Sequence, residues 1–104
     1  MAWLILIAAA ALEITWALAL KASEGFTRLV PSVLGVVTAV GSVGLLMVAL
    51  RDLPVGTAYA VWTGLGAVGV ALAGILLFGE SASAARIACL GVVFAGVAGL
   101  RLVE

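Results

Sequence analysis

Long uncharged stretches separated by short charged segments constrain this chain more than any other feature. Residues 29–50 cover 22 positions without a charged side chain, and residues 55–79 cover 25. Residues 2–20 are interrupted only by Glu13. A helix needs about 20 apolar residues to cross the hydrocarbon core of a bilayer. Because the stretches are too long for barrel strands and lack their alternation, they predict membrane-spanning helices.

A fourth helix is predicted from a shorter apolar run. Residues 87–100 lack charges, but 14 residues are too few to span a bilayer. The helix therefore has to recruit residues 82–85, while Arg86 and Arg101 extend their charged ends toward the membrane surface. We expect an all-α membrane protein with one transmembrane domain, residues 1–104, and helices at about residues 2–20, 29–50, 55–79 and 83–101.

Composition narrows the class of protein further. Hydrophobic residues make up 66% of the chain and charged residues 10%, whereas soluble proteins are about one quarter charged. Net charge is zero without a basic block, so nucleic acid is not an expected partner. The chain has no His and a single cysteine, Cys89, which excludes a metal cluster or a disulfide within it. We expect a protein that is not an enzyme, with no catalytic residue, metal or cofactor.

Glu13 is the strongest functional signal. Counted from Ala2 at about 1.5 Å per residue, it lies about 16 Å along helix 1, near the middle of the bilayer. No Lys or Arg lies one helical turn away. Ionised carboxylates are costly at that depth and usually mark an ion or proton path, although a Glu that only hydrogen-bonds between helices is the alternative. We expect Glu13 to bind a proton or, once deprotonated, a cation.

Aromatic and hydroxyl side chains are the candidate neighbours of Glu13. Trp16 follows one turn later on the same helix. Tyr59 and Trp62 share a face of helix 3, where they form either an aromatic wall for a cation or ordinary packing. The indole N–H groups of Trp16 and Trp62 can point at the carboxylate. Ser42 of helix 2 either donates to Glu13 or bonds only to its own helix.

Small residues recur at four-residue spacing in helices 3 and 4, a pattern that favours close helix contact. Helix 4 has no polar group beyond its ends, so we assign it to packing between two copies of the chain. The glycines assigned to helix packing are Gly64, Gly66, Gly91, Gly96 and Gly99.

Basic residues are divided almost evenly between the two membrane sides. The segments after helices 1 and 3 carry Lys21, Arg28 and Arg86, and the opposite side carries Arg51 and Arg101. An excess of basic residues normally fixes which side faces the cytoplasm, and three against two is almost no excess. Either one orientation of the chain in the membrane is favoured by a small margin, or the chain inserts in both orientations and forms an antiparallel homodimer.

The sequence resembles the small multidrug resistance family of four-helix proton-coupled exporters. The resemblance covers nearly the whole chain and rests on Glu13, on Lys21 eight residues later, and on the segments SEGFTRL with PS at 31–32 and PVGTAYAVWTGLG from Pro54. The stretch EITWA around Glu13 is similar to the guanidinium-exporter branch. The quaternary-ammonium multidrug branch usually has Gly where this chain has Trp16.

The resemblance implies an antiparallel, dual-topology homodimer in the inner (cytoplasmic) membrane. It implies that two Glu13 carboxylates alternately bind protons and guanidinium-type cations. It also implies that Trp16, Ser42, Tyr59 and Trp62 line the site and orient the carboxylate. The expected partners are therefore guanidinium-type cations, protons, the lipid bilayer and a second copy of the chain.

Two other functions remain open from the sequence. The substrate could be a quaternary ammonium or lipophilic aromatic cation, as in the multidrug branch. A proteolipid-like membrane assembly subunit also carries one intramembrane acid. Such subunits typically have two helices with the acid in the second, whereas this chain is predicted to have four with Glu13 in the first.

The even distribution of basic residues generates the first testable prediction. A reporter fused to the C-terminus should be detected on both sides of the membrane, because neither side has a decisive excess of charge. Adding one Lys to a loop on either side should bias the population toward that side facing the cytoplasm. Detection of the unmodified chain in a single orientation would contradict the prediction.

Overall fold

Four helices form nearly all of the chain. In the computed structural model, which describes residues 1–103, they are α1 (Ala2–Ala22), α2 (Leu29–Ala49), α3 (Val55–Phe78) and α4 (Ala84–Val103). All four are long and apolar enough to cross a membrane. No strand occurs within residues 1–103, so the predicted all-α fold with four helices able to span a membrane is confirmed. Residue 104, the last of the predicted domain, lies outside the described residues.

The limits of α4 show how a short apolar run becomes long enough to span. The helix begins at Ala84 and continues past Arg101 to Val103. The hydroxyl oxygen of Ser83 accepts a hydrogen bond from the backbone N–H of Arg86 at 3.2 Å, which is the geometry of a helix N-cap. Arg86 therefore lies in the first turn of the helix.

Helices α2 and α3 pack against α1. Its most extensive contacts are with α2 and then α3, whereas α4 packs against α3 and has no buried residue. Arg101 reaches from α4 to α1, with its guanidinium carbon 5.0 Å from the ring centroid of Trp3. The buried apolar core lies where α1 meets α2 and α3 and consists of Leu6, Ala9, Leu46, Ala49, Ala58 and Val61.

Glycines let α1 and α3 approach closely. A Cβ atom added to Gly66 would overlap the carboxyl group of Glu13, and one added to Gly69 would overlap the side chain of Ile14. Both glycines lie in α3 and face α1 in this contact. The absence of side chains at these two positions therefore determines how near Glu13 lies to the α3 backbone.

The glycines predicted to mediate packing fall into two groups. Gly64 lies against α4, because a Cβ there would be 2.6 Å from Cγ2 of Val97. Gly66 lies against α1, as described above. A Cβ at any of the remaining three would meet no described atom within 4 Å, so their assignment to packing between copies stays a prediction; these are Gly91, Gly96 and Gly99.

The chain is flat. Its principal extents are 41 × 34 × 17 Å, and a helix with its side chains is about 10–12 Å across. Its shortest extent is half of the intermediate one.

Candidate functional site

A cavity of about 410 Å³ lies beside Glu13. It extends along the contact between α1 and α3 to the connection between α3 and α4, residues 79–83. The lining residues are Glu13, Trp16 and Ala17 of α1, Thr63, Gly66, Ala67, Val70 and Ala71 of α3, and Glu80 and Arg86 at the far end.

Glu13 is buried, with only 8% of its surface exposed. Its Oε1 atom is inaccessible and has no hydrogen-bond partner within the described chain. Among residues 1–103 it also takes part in no ion pair. A buried carboxyl oxygen without a donor is unfavourable. The site therefore presents a group that either a proton or a cation with N–H donors would satisfy.

Trp16 lies in the same cavity, but its indole does not bond to Glu13. The Nε1 atom of Trp16 is buried without a hydrogen-bond partner, like Oε1 of Glu13. The structure therefore does not contain the bond between the two residues that the sequence suggested. The reason is that the Glu13 carboxyl packs against α3 at Gly66, which leaves the indole N–H as a second unpaired group.

Ser42 and Trp62 form a hydrogen-bonded relay that joins three helices. The fully buried Ser42 hydroxyl donates to the carbonyl oxygen of Ala9 at 2.6 Å and accepts from Nε1 of Trp62 at 3.0 Å. Neither alternative left open for Ser42 is seen, because its single hydroxyl hydrogen goes to the Ala9 carbonyl of α1 rather than to Glu13 or to its own helix. The Trp62 indole likewise points at Ser42 rather than at the carboxylate.

The relay acts on Glu13 through the backbone. In an α-helix the carbonyl of residue i accepts from the amide of residue i+4, so the Ala9 carbonyl is also the acceptor for the amide of Glu13. Ser42 and Trp62 therefore fix the turn of α1 that carries the carboxyl group. They do this without lining the cavity themselves.

Tyr59 lies apart from the carboxyl group within one chain. It is 56% exposed, and its ring packs edge-on against Trp62 with centroids 5.6 Å apart. The predicted aromatic face of α3 is present, but it does not line the cavity beside Glu13 in a single copy. Of the predicted site residues, the structure brings Glu13 and Trp16 into one cavity, with Ser42 and Trp62 behind them.

Three polar lining residues, Thr63, Glu80 and Arg86, were not predicted as site residues from the sequence. Thr63 lies on the cavity wall, with its hydroxyl donating to the carbonyl of Tyr59 at 2.8 Å. Glu80 and Arg86 form an ion pair, with Nη2 of Arg86 2.9 Å from Oε1 of Glu80. Arg86 was expected to extend toward the membrane surface. The sequence signal for this ion pair was an acidic and a basic residue on either side of Ser83, the N-cap of α4.

Comparison with known proteins shows which family the sequence matches. The sequence model described as Small Multidrug Resistance protein matches residues 1–93. A protein of Yersinia pseudotuberculosis named Guanidinium exporter is 58% identical over 102 residues, covering 98% of each chain. Proteins of the same name from Citrobacter freundii and Klebsiella oxytoca are 55% identical over 98% of this chain and 97% of their own. The resemblance predicted from the sequence is confirmed.

The contact between Gly66 and Glu13 generates a prediction about stability. Gly66→Ala should destabilise the folded chain by about 1–3 kcal/mol, the usual effect of adding a group to a well-packed contact. The measurement is reversible unfolding in mixed detergent micelles. Gly56→Ala is the matched control in the same helix, because a Cβ there would meet nothing within 4 Å.

A double-mutant cycle separates this contact from a general effect on α3. In a Glu13→Ala background the overlapping carboxyl is absent, so Gly66→Ala should cost much less than in the unmodified chain. An equal loss in both backgrounds would show that the added methyl group is not opposed by Glu13.

Proposed function

The chain belongs to the Small Multidrug Resistance family, and on that premise we propose that it is a proton-coupled antiporter. It exports guanidinium and small guanidinyl cations across the cytoplasmic membrane. The observation that carries the proposal is that Glu13 lines a cavity while its buried Oε1 lacks a hydrogen-bond donor. The relatives named Guanidinium exporter, at 55% and 58% identity over nearly the full chain, support the choice of cation.

Guanidinium can supply the hydrogen-bond donor that the Glu13 carboxyl lacks. It is a planar cation rich in N–H donors and pairs with a carboxylate through two parallel hydrogen bonds. A quaternary ammonium ion carries the same charge but no N–H group. It would leave the carboxyl oxygen without a donor, at about 1–3 kcal/mol for each unmatched buried group.

Protons and substrate compete for the same group in this mechanism. A proton on Glu13 neutralises the carboxylate and removes the acceptor that guanidinium needs. Loss of the proton restores both the charge and the acceptor, so each ligand binds at the expense of the other. Competition for one site couples proton entry to cation export.

Trp16, Ser42 and Trp62 act as positioning residues in the proposal. The unpaired indole N–H of Trp16 lies in the same cavity as the carboxyl. Rotation of the ionised carboxylate away from Gly66 would allow it to accept from Trp16 and still meet a cation. Ser42 and Trp62 hold the α1 backbone while the side chain moves.

The proposed working unit is an antiparallel, dual-topology homodimer. One copy is only 17 Å thick, and α4 has no buried residue. A second copy would cover α4 and close the cavity of the first. We also propose that it completes the site with Tyr59, which is 56% exposed beside Trp62 in a single copy.

Transport by reconstituted protein tests the proposal. In liposomes on a solid-supported membrane, guanidinium should produce proton-coupled currents and tetramethylammonium should produce little, because it offers no N–H donor. Glu13→Gln should abolish the guanidinium current, since it retains the shape but removes the charge and the titration. Glu24→Gln, at an exposed position before α2, is the matched control and should transport normally.

Three outcomes would contradict the proposal. Currents from tetramethylammonium equal to or above those from guanidinium would move the chain to the multidrug branch. Proton-coupled transport by Glu13→Gln would remove the central carboxylate from the mechanism. An intact dimer that carries neither cation would favour an assembly subunit.

A further inference from the structure

The cavity beside Glu13 contains a second carboxyl group, that of Glu80. Gly79 has a φ of 65° and ends α3 in the left-handed conformation, which turns the chain back along the helix. The backbone N–H of Glu80 then donates to the carbonyl of Gly74 at 3.2 Å. The Glu80 carboxyl lies so close to Gly74 that an added Cβ would be 2.5 Å from its Oε1.

The guanidinium group of Arg86 is already bound to this carboxyl group. Nη2 of Arg86 donates to Oε1 of Glu80 at 2.9 Å, and Nη1 donates to the carbonyl of Ser81 at 2.8 Å. The side chains of Arg86 and Glu80 are 33% and 42% exposed. The chain thus displays the contacts that hold a guanidinium ion at this end of the cavity.

We propose that Glu80 and the Ser81 carbonyl form a second guanidinium site, at which the substrate displaces the side chain of Arg86. The inference rests on the proposed function for its substrate class. Free guanidinium has the same planar set of donors as the Arg86 side chain and can make the same two bonds. A partly exposed ion pair adds little stability, so a competing ion can replace it.

The second site is distinct from Glu13. Gly66 and Gly74 mark the positions of the two carboxyl groups along α3, and eight residues of helix correspond to about 12 Å. A small guanidinium ion cannot contact both groups at once. Glu80 therefore binds the ion at the α3–α4 end of the cavity, before or after Glu13 does.

Nuclear magnetic resonance of the Arg86 side chain tests the site directly. Labelled Glu13→Gln protein in lipid bicelles is titrated with guanidinium chloride, and Arg86→Lys assigns the side-chain Nε–H signal. This background removes the first site, so the result does not depend on transport. Guanidinium should move the Arg86 signal saturably, while sodium chloride and tetramethylammonium chloride at equal concentration should not. In Glu80→Gln protein the Arg86 signal should already be shifted before guanidinium is added, because the ion pair is absent. Guanidinium should then not move it further.

A signal that moves equally in all three salts would overturn the proposal, because it would show charge screening alone. A signal that does not move with guanidinium would overturn it as well. Failure of transport in the unmodified protein, with the saturable shift retained, would contradict the proposed function and leave the Glu80 site standing.

Transport kinetics supply the second readout. Glu80→Gln should raise the apparent KM for guanidinium several-fold with an unchanged maximal rate, because it weakens capture of the ion and spares Glu13. Glu24→Gln is again the matched control. An unchanged KM with a lowered maximal rate would mean that Glu80 only supports the fold of the connection.

Discussion

The structure depends on one close contact, the carboxyl of Glu13 against the backbone of α3 at Gly66. Only a glycine leaves room for it, and the contact keeps the acid buried beside a cavity with Oε1 unpaired. Ser42 fixes the same turn of α1 from the other side through the Ala9 carbonyl and Trp62. These contacts keep an unsatisfied acid within a helix long enough to span a membrane. The proposed proton- and cation-binding site requires such an acid.

The cavity extends from this contact along α3. One end of the cavity holds Glu13, and the other holds the ion pair of Glu80 and Arg86. In the proposed mechanism the first carboxyl exchanges a proton for guanidinium, and the second exchanges the side chain of an arginine for the same ion. In the same proposal, a second copy covers α4, which has no buried residue in a single copy, and encloses this path.

Sequence patterns predicted the structural features that depend on hydrophobicity and on helical periodicity. The four spanning helices and the burial of Glu13 follow from run lengths and from one acid in an apolar segment. The hydrogen-bond partners of the polar side chains could not be predicted from these patterns. Helical spacing identifies the face on which Ser42 lies, but not that its hydroxyl would donate to the Ala9 carbonyl rather than to the carboxylate. The pairing of Glu80 with Arg86 depends on the turn at Gly79, which composition alone does not specify.

Proton release on substrate binding tests the central claim most directly. Purified protein in weakly buffered detergent solution is mixed with guanidinium chloride while the pH is recorded across a series of starting values. Competition at Glu13 predicts a fall in pH that saturates with guanidinium, and that is absent in Glu13→Gln protein or with sodium chloride. Calorimetrically detected binding of guanidinium without proton release at any starting pH would contradict the account.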